Sequence, residues 1–564
     1  MAAGISFSGM AQDGLREGIG GLLSRVPMAL GDAAFELRVF SDVGLVRPIR
    51  PDKLARIGER YVRWGASPAL GSAANALTVP EGTAIVDEAG ALTWGETHRR
   101  SNALARALRD EGIGEGDGVA IMCRNHRYFI EATMACSKLG ALALYLNTAF
   151  SGPQLVDVMK REGPGVLIFD QEFAELLSDV PGTVRRYVAW EDDLDASDET
   201  TVEQLISSAP GADLEAPKEH GRYVILTSGT TGTPKGAQRS QPEGLSALAA
   251  LLSKIPRRYG ETVMIAAPLF HSWGFLHFML SLPTAATMVL RARFDPEQTL
   301  QAVAEHRARV LAVVPVMMQR ILALPDEVKR RYDVSSLEVT AASGSALPGE
   351  LATRWMDEFG DNLYNLYGST EVAWASIATP EDMRAAPGTA GRPPRGTVIR
   401  VVDEDGNDVD PGETGRLFIG NQLSFEGYTG GEDKARLGDL LSSGDVGHFD
   451  EDGRLFIDGR DDEMIVSGGE NVFPREVEDL LSDHGAVDEV AAIGVDDEEF
   501  GQRLVAFVVR VEGEDTNEED LKGYVKQNLA RYKVPREIVF LEELPRNATG
   551  KVLKRELAER QPAD

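Results

Sequence analysis

Residues 223–236 read YVILTSGTTGTPKG: four apolar or aromatic residues, then five Ser/Thr and three Gly around a Pro-Lys-Gly corner. The lead-in has the composition of a buried strand, and the run after it that of a turn. Such a stretch is either a polar surface loop or a phosphate cradle. The Walker pattern fails from Gly229, where Pro234 takes the second glycine's place, and fails again from Gly232. An ordinary P-loop is thereby excluded. The physical requirements of a phosphate site are still met. Glycines let backbone N–H groups turn inward, hydroxyls donate, and Lys235 supplies positive charge.

Outward from this stretch, short apolar runs alternate with helical ones. GVAIMC (118–123) and GVLIFD (165–170) read as strands of covered parallel sheets, and THRRSNALARALRDEG (97–112) as an amphipathic helix ending at Gly112. The order continues through TVMIAAPLF, ARVLAVVPV and LEVTAASGS. The fold class expected is α/β: a large N-terminal domain of βαβ-type covered sheets with a small antiparallel subdomain, plus a mobile α+β C-terminal domain. Near residue 397 the pattern changes to strands joined by Asp-Gly and Pro-Gly turns. The boundaries read as a helical extension at 1–80, a large domain at 81–460 and a C-terminal domain at 461–564. Within the extension, PIRPDKLARIGERYVRW (48–64) reads as a basic amphipathic helix entered through Pro51, packed on the body or touching an anionic membrane surface.

The 564 residues are too many for one core. Asp and Glu outnumber Lys and Arg by 89 to 58, a net charge of −31, which argues against nucleic acid as a partner. Cys123 and Cys136 are the two cysteines, too few for a disulfide scaffold or a Cys-rich zinc site, and a reducing cytoplasm is the simplest setting. Residues 262–290 contain no Asp, Glu, Lys or Arg, but His271, His277, Pro268 and Pro283 interrupt them. They read as a strand, a loop and a core helix rather than a membrane span.

Taken in order, TSGTTGTPKG resembles the signature of the adenylate-forming superfamily of acyl-CoA synthetases, peptide-synthetase adenylation domains and luciferases. NLYGSTE (365–371), SSGDVGHFDEDGRLFIDGRDDEMIVSGGENVFPREVE (442–478) and LPRNATGKVLKREL (544–557) are similar to its further motifs, in the family's order. The wording SGGENVFPREVE is most like that of fatty-acyl and related acyl-CoA ligases. The stretch EGYTGGEDKARLGDLL (426–441) departs from the family's usual pattern.

The resemblance implies ATP, Mg2+ and coenzyme A as cosubstrates and cofactor, with a small carboxylic acid as the partner. It implies that Thr227, Ser228, Gly229, Thr230, Thr231, Gly232 and Lys235 cradle the triphosphate. Glu371 would hold Mg2+, Thr370 the α-phosphate, and Tyr367 the adenine face. Asn365, Gly344 and Ser345 would line the adenine side, and Asp445 and Arg460 the ribose. Lys551 would stabilise charge during adenylation, Asp462 would serve as the hinge, and Gly468 would line the pantetheine path. His271 and Trp273 would stand in the acyl and thiol channel. Phe275, Met317, Met318 and Trp374 read either as adaptable apolar walls of that channel or as plain core packing. No acidic residue occurs between 262 and 294, which disfavours an α-amino acid. The reaction expected is ATP-dependent ligation of a medium- or long-chain fatty acid, or similar hydrophobic carboxylate, to coenzyme A. The rivals are an acyl-AMP ligase loading a carrier protein or amine, and a non-catalytic nucleotide-binding module recruited to membranes.

Overall fold

The computed structural model describes residues 31–191, 199–227, 235–239, 245–369, 371–423, 425–428, 434–463, 465–467, 470–497, 501–529, 533–547 and 550–560. Two large sheets dominate. The first has eight strands, in the order Ser376–Ala378, Leu363–Tyr367, Val339–Ala342, Val310–Val313, Thr262–Ile265, Thr287–Leu290, Thr83–Asp87 and Gly90–Thr93. The second has seven: Phe425–Tyr428, Lys235–Arg239, Arg222–Thr227, Leu142–Tyr145, Gly118–Met122, Val166–Phe169 and Arg185–Val188. Interior neighbours are parallel, and antiparallel strands lie at the edges. Every residue of Val166–Phe169, Val310–Val313 and Val339–Ala342 is buried, the pattern of strands covered on both faces.

The helices Trp94–Asp110 and Arg127–Leu139 supply much of that cover. The first begins in a capping box of Thr93 and Glu96. Several charged residues buried in this layer are paired. Arg127 N–H donates to Asp87 at 2.9 Å, and Arg100 reaches Glu131 at 2.6 Å. Lys138 Nζ donates to Ser101 Oγ at 2.7 Å and to the His98 carbonyl at 3.1 Å. The 2.8 Å contact from His98 Nε2 to Asp213 assigns that nitrogen as a donor. Burial, with Lys138 alongside, pushes the His98 imidazole down to about 4. Cys123 and Cys136 are buried, and burial pushes the Cys136 thiol up to about 12, so it stays protonated.

Two smaller antiparallel sheets follow. In one, Val398–Val402, Gly415–Gly420, Leu440–Phe449 and Arg436–Leu437 lie side by side, and Leu455–Arg460 also pairs with Leu440–Phe449. The other uses later residues only: Glu470–Val472, Ile465–Ser467, Gly501–Arg510 and Val487–Asp497, with Glu537–Leu541 parallel to Gly501–Arg510. The helices Pro474–Ser482 and Glu518–Asn528 bury Val477, Leu481, Leu521 and Val525 in its core. The mixed α/β class, a large first part and a small last one, agrees with the sequence reading.

Among the described residues, three helices precede the first strand: α1 at 31–43, α2 at Pro51–Trp64 and α3 at Pro68–Thr78. Pro51 opens α2, as its place in the sequence predicts. Among the described residues, no helix is long and apolar enough to cross a membrane.

Candidate functional site

Four parallel strands of the eight-stranded sheet end at one cavity. Thr262–Ile265 leads to His271 and Trp273, Val310–Val313 to Pro315 and Val316, Val339–Ala342 to Ser343–Ser345, and Leu363–Tyr367 to Glu371. Ligand sites of open α/β sheets form outside such carboxyl ends. The cavity has a volume of about 2060 Å3. Its polar end is lined by Asn365, Tyr367, Glu371, Asp445, Arg460 and Lys551. An apolar channel leaves it past Phe275, Leu276, Met279, Tyr223 and Leu251.

The turn after Leu363–Tyr367 is tightly built. A Cβ on Gly368 would overlap the Ala373 carbonyl, so only glycine fits there, and Ala373 itself adopts φ 60°. Ser369 Oγ donates to Glu371 Oε2 at 2.7 Å and accepts from the Glu371 N–H at 3.2 Å. Glu371 is buried and still borders the cavity. A carboxylate so placed suits a hard cation held jointly with phosphate oxygens.

Asn365 is also buried, and its Oδ1 has no hydrogen-bond partner. An orphaned acceptor costs stability unless a ligand donor meets it. It therefore fits a nucleotide base edge. Ser343 Oγ donates to the Leu366 carbonyl at 2.7 Å, tying the neighbouring strand end in place. Gly344 follows with φ +97°.

Asp445 stands on Leu440–Phe449, directly opposite Arg460 on Leu455–Arg460. Arg460 donates to Asp445 Oδ1 at 3.1 Å, and the Tyr367 hydroxyl donates to Oδ2. Burial, then the neighbouring Asp445 charge, raises the Tyr367 phenol well above its ordinary range, keeping it a donor. Lys434 Nζ donates to the Ser443 carbonyl at 3.1 Å and borders the same cavity.

Lys551 is exposed to the cavity on a loop pinned by its own backbone. Its N–H donates to Asn547 Oδ1 at 2.9 Å, and Arg546 donates to the Gly550 carbonyl at 2.7 Å. Gly550 has φ +80° and rests on Val316, which a Cβ would overlap. Gln319 Nε2 adds a 3.0 Å bond to the Asp488 carbonyl. These contacts bring the last part of the chain onto the large sheets with Lys551 at the polar end.

On the channel side, burial holds the His271 imidazole at about 4, hence neutral. Trp273 Nε1 donates to the Val313 carbonyl at 2.9 Å. Phe275 and Trp374 line the cavity as expected. Met317 and Met318 take the other reading, core packing. The helix Pro315–Leu322 turns Pro315, Val316 and Gln319 to the cavity, which leaves both methionines on its buried face.

Ser228, Gly229, Thr230, Thr231, Gly232, Thr370 and Gly468 lie outside the described residues. Thr227 ends one strand and Lys235 begins the next, the two residues paired across antiparallel neighbours. Asp462 falls in the short helix Asp461–Glu463 beside Arg460. Sequence reasoning missed Lys434, which lies in the stretch departing from the usual motif. It also missed Leu45, Ile57 and Tyr61 of the extension as channel residues.

The chain matches the AMP-binding enzyme family over residues 73–429 and the AMP-binding enzyme C-terminal domain over 476–551. It is 34% identical to a feruloyl-CoA synthase of Amycolatopsis over 85% of this chain and 96% of the relative. It is 28% identical to a long-chain-fatty-acid–CoA ligase of Mycobacterium tuberculosis over 84% of this chain and 93% of the relative. Among solved structures, o-succinylbenzoate CoA synthetase from Bacillus subtilis, in complex with its acyl-adenylate intermediate, superposes with a TM-score of 0.75 at 26% identity. That match covers 88% of this chain and 99% of the other. The chain is a member of the AMP-binding enzyme family, an adenylate-forming enzyme of the acid–thiol ligase kind.

Proposed function

We propose that the protein is an ATP- and Mg2+-dependent acyl-CoA ligase for a medium- or long-chain fatty acid or similar hydrophobic carboxylate. One observation carries the reading: a single cavity joins a polar end holding Asn365, Asp445, Arg460 and Lys551 to an apolar channel. The channel helix Ser272–Ser281 bears no charge. A carboxylate can thus lie with its head among donors and its tail against apolar walls.

In the first half-reaction a substrate carboxylate oxygen attacks the ATP α-phosphorus. The bond to pyrophosphate breaks, and pyrophosphate leaves with the electron pair. Lys551 offsets the negative charge gathered there, and Thr370 hydrogen-bonds the α-phosphate. Residues Thr227 to Gly232, with Lys235, hold the outgoing phosphates. Asn365 Oδ1 accepts from the adenine edge, with Gly344 and Ser345 alongside and Tyr367 against the ring. Asp445, steadied by Arg460, takes both ribose hydroxyls. Glu371 would hold Mg2+, which when bound supplies charge neutralisation to the phosphates. In the second half-reaction the coenzyme A thiolate attacks the acyl carbonyl carbon and AMP leaves. Domains at 81–460 and 461–564 rotate about Asp462 between the two steps, and Gly468 then borders the thiol's path.

A panel of carboxylates, assayed for pyrophosphate release and thioester formation with and without coenzyme A, tests this. Thioesters from aliphatic acids of increasing length are expected. Turnover confined to aryl acids, which the feruloyl-CoA synthase relative favours, would move the substrate class. Pyrophosphate release with no thioester would favour the carrier-protein or amine acceptor. No release with any acid would sink the ligase reading.

A further inference from the structure

The extension ahead of residue 73 is held unevenly. Helix α1 is anchored: Val39, Phe40 and Val43 join the main core, Asp32 pairs with Arg395 at 2.8 Å, and Ser246 Oγ donates to Glu36. Helix α2 buries only Trp64. Its packing partner is α3, and Arg60 ties it to Asp213 at 2.9 Å.

Along α2, Leu54, Gly58, Tyr61 and Val62 follow one another at the spacing of a single helix face. That face points outward: Leu54 and Tyr61 are 56% exposed and Val62 81%. An amphipathic helix ordinarily turns such a face to the core. Among the described residues, eight large apolar side chains are exposed; five lie between Leu37 and Val62. Three of the eight, Tyr61, Tyr223 and Leu245, also line the apolar channel. The outward face of α2 is therefore continuous with the channel wall, and Tyr61 belongs to both.

The charge is equally local. Residues 47–63 hold six Lys/Arg against Asp52 and Glu59, in a chain of net charge −31. Arg50 pairs with Asp52 and Arg63 with Glu59. Lys53 and Arg56 have no ion pair among the described residues. An outward apolar stripe, with basic residues around the rest of the helix, is the arrangement that lies in the interface of an anionic bilayer.

We propose that α2 is an interfacial helix that seats the acyl channel's mouth on an anionic lipid surface, so that a lipid-dissolved carboxylic acid enters directly. The delivery role rests on the ligase reading; the lipid contact does not, and it is measured without turnover. The experiment floats the full chain with vesicles of phosphatidylcholine alone and of phosphatidylcholine containing phosphatidylglycerol. Binding to the anionic vesicles, weakened by salt, is expected. Leu54→Glu with Val62→Glu abolishes it, while thermal unfolding and lipid-free ATP–pyrophosphate exchange stay as in the wild type. Lys53→Gln with Arg56→Gln lowers vesicle affinity by about thirtyfold. Failure of the wild type to float with either vesicle overturns the proposal, as does flotation that both double variants leave unchanged. A concentration-dependent dimer lost in Leu54→Glu/Val62→Glu, without flotation of the wild type, reassigns the face to a second copy. Flotation gained only on deleting residues 1–30 assigns it to that segment.

Discussion

Arg460 and Asp445 face each other across two antiparallel strands at 3.1 Å, while Tyr367 reaches the same carboxylate from the eight-stranded sheet. One side chain thereby joins two sheets at the edge of the cavity. Asp445→Ala removes the carboxylate that the Arg460 guanidinium and the Tyr367 phenol share. Loss of charge-assisted bonds to the nucleotide costs about 2 kcal/mol, roughly a thirtyfold rise in KM for ATP. Initial rates of ATP–pyrophosphate exchange measure it. The KM for the carboxylate should change far less, and an equal rise in both would remove the ribose assignment.

Asn365→Leu separates binding from folding. The Asn365 Oδ1 is buried without a partner, so its replacement by an apolar group of similar size should leave the apo Tm unchanged or higher. The KM for ATP should rise about tenfold through one lost hydrogen bond. A lowered Tm with unchanged KM would mean that the amide serves packing alone.

Gly550→Ala places a methyl against Val316 at a backbone angle of φ +80°. Strain at positive φ alone costs about 1 kcal/mol, so acyl-AMP formation should slow about tenfold. Thioester formation from supplied acyl-AMP should be spared, because that step uses another placement of the C-terminal part. Val316→Ala should restore only the part of the loss due to the methyl contact, because the strain at positive φ remains in the double variant. Equal slowing of both steps would show that Gly550 matters for folding instead.

Lys551→Ala should lower adenylation by about a hundredfold, the scale of one lost charge-stabilising donor. Quench-flow with ATP and acid, compared with supplied acyl-AMP and coenzyme A, separates the steps. Comparable losses in both would count against its assigned role.

Acid sensitivity has a defined source at His98. Its imidazole sits at about 4 in the fold against an ordinary 6.5, so the unfolded chain binds the proton first. This group's contribution is complete above pH 6.5 and is lost as pH falls toward 4, at most about 3 kcal/mol. His271, also at about 4 through burial, acts in the same direction. Urea unfolding across that window should show a smaller pH-dependent loss for His98→Gln than for the wild type. Identical slopes would remove His98 as a cause.

The covered strands were legible because apolar runs such as VLIF and VLAV admit no exposed face. The polar end was legible because its motifs pair unusual residue types in a fixed order, from Tyr367 to Lys551. For Met317 and Met318 the sequence left channel wall and core packing both open, because composition does not say which face of Pro315–Leu322 meets the cavity. The Tyr367–Asp445 bond spans 78 positions and two sheets, a contact set by packing rather than by local pattern. Likewise α2 could be read as amphipathic, but the direction of its apolar face depends on what α3 and Asp213 hold in place.

Leu45, Ile57 and Tyr61 reach the channel from ahead of residue 73, where the match to the AMP-binding family begins. The residues proposed to face the nucleotide all lie beyond it. Apolar lining of the channel and the residues proposed for adenylation are thus written in separable stretches of the chain, so the first can be cut or replaced without touching a residue of the second.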